Sequence, residues 1–414
     1  MRILSPTEQK RYPRAYLMSM CFGKQVGDHV NWQTVSDGES ALKFKGLVDT
    51  GGHANIWMFS NTDAMELIGK DGSHKHISES PDDFDRFVRH KSKLQFARDD
   101  RLTSERVHYT GKETVELQPT TRVCGTYDQN DVLRIFLPHF TLGAVVGFDP
   151  SFLDAPFDGI IGLGRSHPGR SSLGTPVRTI AFFELLRHRL KVYVVKGILQ
   201  QLLNQKCIQD EEFYVCCRWE PDSALGYGFI SFGGWPVDRL DLPTWNRIPV
   251  MPNANVAMWM IRLESITVVV PGTAFSHSEP VNADVMLDTG AAGTTLPNDA
   301  AKSLLAAVHG ISSGQGLQAG RLSDDVQVAF TFKIKHARWA GGQGQAPSQT
   351  IYGSAERFFV LPQLGPGRNE EPIYPLRSSK GQKYNVLGLN FFRTFFVGFV
   401  DTASEPMILL AAQF

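Results

Sequence analysis

Short runs of β-branched and aromatic residues dominate the hydrophobic pattern of the chain, and glycine or proline bounds most of them. Four such runs span residues 229–232, 266–270, 326–332 and 395–400. Residues of this kind favour β-strands, and the flanking glycines and prolines mark turns. Helical periodicity is limited to residues 179–190, 195–203 and 299–308. The pattern therefore predicts an all-β fold with a few short helices.

An apolar strand end followed by Asp-Thr-Gly occurs twice. Residues 47–51, with the sequence LVDTG, return at residues 286–290 as MLDTG, and the two aspartates are 239 positions apart (288 − 49). Each copy is typical of a strand that enters a tight turn. The repeat at such long range predicts two halves of related design.

The repeat has a second part, which is an apolar run with glycines. Residues 157–164, with the sequence FDGIIGLG, follow the first copy, and residues 384–389, with the sequence YNVLGL, follow the second. Glycine in such a run is expected where another backbone passes closely, so each run should pack beside its own Asp loop. We expect an N-terminal lobe of residues 1–210 and a C-terminal lobe of residues 211–414, each with one of the two Asp loops.

Length, composition and charge fit this organisation. A chain of 414 residues exceeds one ordinary core, and 38 Gly with 23 Pro indicate a turn-rich globular protein. Basic and acidic residues balance at 42 each, so we expect no nucleic-acid partner. The densest charge run, residues 82–112, mixes both signs and predicts a solvated surface insertion.

The hydrophobic segments are too short for membrane insertion. The N-terminus lacks the apolar core of a secretory signal, and no stretch reaches about 18 uninterrupted apolar residues. We therefore expect a soluble chain without membrane contact. A removed signal or pro-segment would leave no trace, and a mature form would fit an extracellular or vacuolar location.

Five cysteines, all before residue 218, make neither a dense disulfide framework nor a zinc site. Cys207 could close a short loop with Cys216 or Cys217 in an oxidising compartment. The adjacent Cys216 and Cys217 lack a matching Cys/His pair, and we expect no metal ion and no organic cofactor.

The two aspartates suit hydrolysis of a peptide bond. A single Asp-Thr-Gly is common in turns, but a matched pair in matched contexts points to chemistry. If the two loops meet, the carboxylates of Asp49 and Asp288 come within hydrogen-bonding reach and share one proton, because both cannot ionise cheaply. The ionised carboxylate can then take a proton from water while the protonated one polarises the scissile amide.

The two Asp-Thr-Gly segments, residues 157–164 and residues 386–393 resemble the pepsin-like aspartic proteases in order and spacing, over nearly the whole chain. Residues 14–20, 213–216 and 288–297 are similar to the plant nepenthesin-like branch. The resemblance implies a bilobal pepsin-like acid protease fold with its cleft between the lobes. It also implies an aspartic endopeptidase that acts on protein or peptide substrates, and we expect a monomer. Proton sharing between two aspartates is already known for this family.

The resemblance implies supporting roles at matching positions. Thr50 and Thr289 would interlock the two loops through hydroxyl-to-backbone hydrogen bonds, and Gly51 and Gly290 would donate amides towards the carboxylates. A β-hairpin flap would close over the substrate, with Tyr109 as its tyrosine. The alternative for Tyr109 is an ordinary strand aromatic.

This chain departs from the family directly after each Asp-Thr-Gly. The family usually places there a Ser or Thr whose hydroxyl bonds to an outer carboxylate oxygen, and this chain has Gly52 and Ala291. Hydrogen bonds favour the ionised carboxylate, so their loss should raise the apparent pKa values of the pair. We expect activity at less acidic pH than usual.

The first loop is also longer by one residue. Trp57 stands one position further from Asp49 than the usual tryptophan of the family, and His53 and Ala54 fill the stretch. His53 either tunes the aspartates or faces solvent, as loop histidines commonly do.

A non-catalytic homologue is the main alternative function. Such a chain would use the scaffold to bind a protein or to inhibit a glycosidase, as the plant xylanase-inhibitor relatives do. Retention of both aspartates and both threonines favours the enzyme. A nucleotide site at residues 162–164 is excluded, because the run lacks a third glycine and a helix opening.

Overall fold

The computed structural model describes most of the chain, and β-strands predominate in it, which confirms the all-β class. The described residues are 2–3, 16–34, 41–52, 54–60, 65–91, 96, 104–109, 113–127, 133–165, 196–222, 226–237, 240–251, 258–314, 322, 325–334, 347–360, 376–380, 384–402 and 405–413. Within these ranges no helix is long and apolar enough to span a bilayer. His53 and the predicted helix at residues 179–190 lie outside the described residues.

The chain forms two compact units. One comprises Thr7–Gln209, and the other comprises Asp210–Phe414 together with Met1–Pro6. The catalytic roles predicted for an N-terminal and a C-terminal lobe stay predictions.

The elements before residue 210 are mostly strands. In chain order they are β1 (Arg2–Ile3), β2 (Tyr16–Val26), β3 (His29–Trp32), β4 (Phe44–Asp49), β5 (Ile56–Phe59), β6 (Glu66–Ile68), β7 (His74–His76), a 3-10 turn (Ile77–Glu79), α1 (Pro81–His90), β8 (Glu105–Tyr109), β9 (Glu113–Tyr127), β10 (Leu133–Phe148), a 3-10 turn (Pro150–Phe152), β11 (Gly159–Gly162) and α2 (Ile198–Asn204).

Strands β2–β11 form one sheet in the order β7-β6-β10-β5-β11-β4-β2-β9-β8, and β3 pairs with β2. The long strands β9 and β10 also pair with each other, so the row from β10 to β9 closes into a ring. Strand β11 runs parallel to β4 and antiparallel to β5. It therefore lies between the strand that leads into the first Asp loop and the strand that leaves it.

Aromatic rings fill the interior of this unit. Phe59 packs edge to face on Phe148, with ring centroids 5.3 Å apart, and Phe87 stacks on Phe148 at 5.0 Å. Trp57 is buried beside Phe59 and Phe152. Buried aromatic pairs of this geometry add about 0.5–1.5 kcal/mol each beyond their burial.

The described residues of the unit that contains Asp210–Phe414 form two sheets. Its elements are β12 (Glu212–Asp222), β13 (Gly226–Phe232), β14 (Asn246–Pro249), β15 (Met260–Val269), β16 (Ser276–Leu287), β17 (Thr294–Leu296), α3 (Asn298–Gly314), β18 (Gln327–Lys333), β19 (Ser348–Ser354), α4 (Ala355–Phe359), β20 (Leu376–Ser378), β21 (Asn385–Leu387), α5 (Leu389–Thr394), β22 (Phe395–Val400) and β23 (Met407–Ala412).

One sheet has the order β13-β12-β22-β23-β14, and the other has the order β19-β18-β15-β16-β21-β17-β20. Strand β21 runs parallel to β16 and forms an antiparallel bridge to β17. It therefore repeats the placement of β11, between the strand before an Asp loop and the strand after it.

The strand predictions are confirmed in position. The four apolar runs lie in β13, β15, β18 and β22, except for Val270 and Val326 at the strand ends, and the predicted helix at residues 299–308 lies within the longer α3. Five cysteines are free, with Cys207 exposed and Cys216 and Cys217 buried. The short disulfide considered for Cys207 is therefore not formed.

The first part of the charge run at residues 82–112 forms a helix that is solvated on its polar side, as predicted, and that also buries one side chain. Pro81 begins α1 at a position that suits proline, Asp82 and Asp83 lie in its first turn, and Phe87 is fully buried. The polar residues of α1 face outward while one aromatic residue joins the core. The mixed charges concealed this amphipathic helix.

Lys91 follows α1 directly and is also buried, at 6% exposure. Its Nζ donates to the carbonyl oxygens of Phe152 and Ala155 and lies 5.1 Å from the centre of the Phe59 ring. Burial lowers the pKa of Lys91 to about 7, although the negative charge of Asp158 opposes the shift. A charged amine is therefore held at appreciable cost in the fold.

Replacement of Lys91 by Met tests this burial. Between about pH 7 and the ordinary lysine pKa of 10.5 the unfolded chain binds more protons at this residue than the folded chain, so the lysine's contribution to stability rises with pH. The free energy of unfolding, measured with urea, should rise from pH 7 to pH 9 by about 2 kcal/mol more in wild type than in Lys91→Met. Lys302→Met, at an exposed position of α3, should show no such trend. A difference in unfolding free energy between wild type and Lys91→Met that does not change with pH would contradict the lowered pKa of Lys91.

Candidate active site

The first Asp loop begins at the end of β4, where Asp49 is 3% exposed and Thr50 is fully buried. The Gly51 amide donates to Asp49 Oδ1 at 2.9 Å. A β-carbon at Gly52 would lie 2.7 Å from Asp49 Oδ2, closer than side chains tolerate. Glycine at this position therefore lets the carboxylate lie directly against its own loop.

Strand β11 holds both ends of this loop. Gly162 lies opposite Asp49 in the parallel pairing. The amide of Leu163 donates to Asp49 O at 2.8 Å, and the amide of Gly162 donates to Asn55 O at 3.0 Å. The expectation that residues 157–164 pack beside the first Asp loop is confirmed.

Close backbone approach explains a glycine of the same strand. A β-carbon at Gly159 would lie 2.2 Å from the carbonyl oxygen of Trp57 in β5. Any larger residue would push β11 away from β5. The fixed position of β11 therefore depends on the absence of a side chain.

The second Asp loop begins directly after β16. Asp288 is partly exposed, Thr289 is buried, and the Gly290 amide donates to Asp288 Oδ1 at 2.7 Å. The amide of Asp288 donates to Leu387 O at 3.0 Å, and the amide of Ala291 closes a turn onto Asp288 O at 3.3 Å. In both loops the carboxylate therefore accepts a hydrogen bond from the amide of the glycine two residues later, Gly51 or Gly290.

The second apolar-Gly run packs beside this loop, as expected. Leu287 lies opposite Leu387 in parallel pairing, and the amide of Leu389 donates to Ala291 O at 2.9 Å. A β-carbon at Gly388 would lie 2.2 Å from Gly293 O. Backbone therefore packs on backbone at both Asp loops.

Buried polar side chains near both loops escaped the sequence analysis. In the second unit Thr294 Oγ1 donates to Asn390 Oδ1 at 2.8 Å, and Asn390 Nδ2 donates to Phe358 O at 3.0 Å. Asn55 is the corresponding buried amide next to the first loop. The available signal was an asparagine within an apolar run, since a buried polar group needs hydrogen-bond partners.

Tyr109, the predicted flap tyrosine, is the last residue of β8. It lies opposite Glu113 of β9 in an antiparallel hairpin. The turn at residues 110–112 and the Tyr109 side chain lie outside the described portion of the structure. The hairpin has the form expected of a flap, and its role stays a prediction.

A polar cluster joins this hairpin to the β6–β7 hairpin. Glu66, His74 and Glu116 bring three potential metal-ligand atoms within 4.8 Å of one another. Arg106 Nη2 lies 2.7 Å from Glu116 Oε1 and 3.1 Å from His74 Nε2. The guanidinium supplies the positive charge that these carboxylates attract, and we assign no metal to the cluster.

The two Asp loops belong to different units, and each is described on its own. The pairing of Asp49 with Asp288 therefore stays a prediction, as does the interlock of Thr50 with Thr289. Gly52 and Ala291 both lie within the described residues, each in the loop of its own aspartate.

A family model described as eukaryotic aspartyl protease matches residues 32–412. The chain belongs to this family and is an aspartic-type endopeptidase, a hydrolase that acts on peptide bonds. No curated protein sequence matches the chain. Placement in the plant nepenthesin-like branch stays a prediction.

Gly388→Ala tests the close packing on the second loop. The added methyl group must displace the backbone of residues 291–293, so we expect a loss of about 1–3 kcal/mol in unfolding free energy, as for other overpacked sites. The rate of peptide cleavage by Gly388→Ala should fall as well. Gly310→Ala is the matched control, because a β-carbon there meets no atom within 4 Å in α3 and should stabilise the helix. Equal stability and activity of Gly388→Ala and wild type would show that the loop adapts freely.

Proposed function

We propose that Asp49 and Asp288 are the catalytic pair of this aspartic endopeptidase and that they activate a water molecule for attack on protein or peptide substrates. The repeated local geometry carries the proposal. Each aspartate stands at a strand end beside a parallel strand from an apolar-Gly run, and each Oδ1 accepts a hydrogen bond from the amide of the glycine two residues later, Gly51 or Gly290.

In the proposed mechanism the pair shares one proton. The ionised carboxylate takes a proton from the water, whose oxygen attacks the scissile carbonyl carbon, and the protonated carboxyl group donates to the substrate. The same groups then pass a proton to the leaving amine, and the C–N bond breaks. Apparent pKa values belong to the pair and not to either residue.

Supporting residues complete the proposal. Gly51 and Gly290 hold the inner carboxylate oxygens through their amides. Thr50 and Thr289 interlock the loops, and Tyr109 covers the substrate from the hairpin. The enzyme works as a monomer on proteins or peptides, without a metal ion, a cofactor, nucleic acid or a membrane.

The proposed pH range is less acidic than is usual in the family. Gly52 and Ala291 have no hydroxyl that could bond to the outer carboxylate oxygens. Since such bonds favour the ionised form, the pair should retain its shared proton to higher pH.

The second candidate is a protein-binding or glycosidase-inhibiting homologue with weak or absent catalysis. The same two positions favour it, because Gly52 and Ala291 remove side chains that support the aspartates in the family. A cleavage assay separates the two candidates.

Asp49→Asn and Asp288→Asn test the catalytic pair. With a mixed peptide library from pH 3 to pH 8, wild type should cleave and a transition-state-mimic aspartic-protease inhibitor should stop it. Each variant should lose at least about 100-fold in kcat, as expected for removal of a general acid or base.

Asp284→Asn is the matched control, because Asp284 is a partly exposed residue of β16 paired with Arg262. It should retain wild-type activity. If the folded wild type, free of any pro-segment, cleaves no peptide at any pH, the result favours the binding homologue.

Ala291→Ser tests the pH proposal. The new hydroxyl can bond to Asp288 and stabilise the ionised pair, so the acidic limb of kcat/KM should move down by roughly one pH unit. Ala291→Val adds bulk without a donor and should leave that limb in place. Gly52→Ser should instead lower kcat, since its β-carbon collides with the Asp49 carboxylate. An unchanged acidic limb in Ala291→Ser would contradict the proposed cause.

A further inference from the structure

Asn55, at the exit of the first Asp loop, is fully buried. Its Oδ1 accepts from the amide of Ile56 at 2.6 Å. Its Nδ2 donates to the carbonyl oxygens of Thr141 at 3.3 Å and Lys196 at 3.1 Å. The side chain therefore connects the loop exit to β10 and to the segment before α2.

Gln201 of α2 binds the same two carbonyl oxygens. Its Nε2 donates to Thr141 O and Lys196 O, each at 2.9 Å, and its Oε1 accepts from the Thr141 amide at 2.8 Å. Gln201 is 7% exposed. We call the arrangement of Asn55, Gln201, Thr141 and Lys196 the amide bridge.

Main-chain bonds continue the amide bridge to the aspartate. Ile198, the first residue of α2, donates to Ala54 O at 2.8 Å. Asn55 O is held by the Gly162 amide, and the next amide, of Leu163, holds Asp49 O. The entrance and exit of the loop are thus fixed by two successive amides of one segment.

The loop between these ends contains Gly51 and Gly52, and glycine has the greatest backbone freedom of any residue. The fixed ends therefore restrict the conformations that these glycines can adopt. The Asp49 carboxylate lies directly against the Gly52 backbone. Movement of the loop exit would therefore move the carboxylate.

We propose that Asn55 is a positioning residue for Asp49 and acts through the amide bridge. The proposal rests on the proposed catalytic role of Asp49. A displacement of about 1 Å can cost on the order of 100-fold in rate. Asn55 thus contributes to turnover without contact with the reacting atoms.

Asn55→Asp tests the proposal because it keeps the shape of the side chain and removes both donors. Above its pKa the new carboxylate faces two carbonyl oxygens, and below it the carboxyl group can restore one bond. We expect kcat, normalised to inhibitor-titrated sites, to fall roughly 10- to 100-fold with KM nearly unchanged. The deficit should shrink as pH falls.

Gln201→Glu perturbs the same carbonyl oxygens and leaves Asn55 in place, so kcat should again fall while KM stays nearly unchanged. This variant serves as the test if Asn55→Asp does not fold. Gln205→Glu is the matched control. Gln205 binds the backbone of His139 through both amide atoms, at 3.1 and 2.8 Å, and these bonds involve no residue of the loop. It should leave kcat close to that of wild type.

Two results distinguish the inference from the function on which it rests. If Asn55→Asp and Gln201→Glu both keep the kcat and the pH dependence of wild type while Asp49→Asn is inactive, the positioning role alone is overturned. Full activity of Asp49→Asn would overturn the catalytic assignment. Equal losses of kcat in Gln201→Glu and Gln205→Glu would show a general loss of packing and would also overturn the positioning role.

Discussion

The placement of one strand between two others, with a glycine inside it or directly after it, is the constraint on which each Asp loop depends. Strand β11 pairs with β4 on one side and β5 on the other, and β21 does the same between β16 and β17. A loop whose two flanking strands share one neighbour must turn sharply beside that neighbour. The contacts that would form at a β-carbon of Gly159 or Gly388 show how little space remains. Backbone packing thus sets where each aspartate stands within its unit.

Hydrogen-bond satisfaction adds a second constraint. A segment that turns sharply inside a packed unit leaves polar groups away from water, and each must find a partner. Asn55 and Gln201 meet this need beside the first loop, and Thr294 and Asn390 meet it beside the second. The two solutions use different side chains, although Asn55 and Thr294 each stand six residues after their aspartate (55 − 49 and 294 − 288). The units therefore share a strand arrangement more closely than they share the side chains that complete it.

Sequence patterns predicted what depends on local chemistry. β-Branched runs gave the strands, and the repeated Asp-Thr-Gly with its apolar-Gly partner gave the contacts of both loops. The buried charge of Lys91 was missed, because a charge run shows no sign of which lysine turns inward. Gln201 was missed for a related reason, since one of its carbonyl partners, on Thr141, is distant in sequence. Such contacts depend on tertiary packing, which hydrophobic periodicity alone does not encode.

The loss of hydroxyls after each Asp-Thr-Gly changes what holds the carboxylates. With Gly52 the Asp49 carboxylate rests against backbone, and its inner oxygen is held by the Gly51 amide. A side-chain hydroxyl can rotate to follow a carboxylate, whereas a backbone amide moves only with its loop. The loop ends are fixed by the amides of β11 and the segment that follows it, and by the side chain of Asn55. In this protein the aspartate is positioned by main-chain geometry, and buried amides stabilise that geometry.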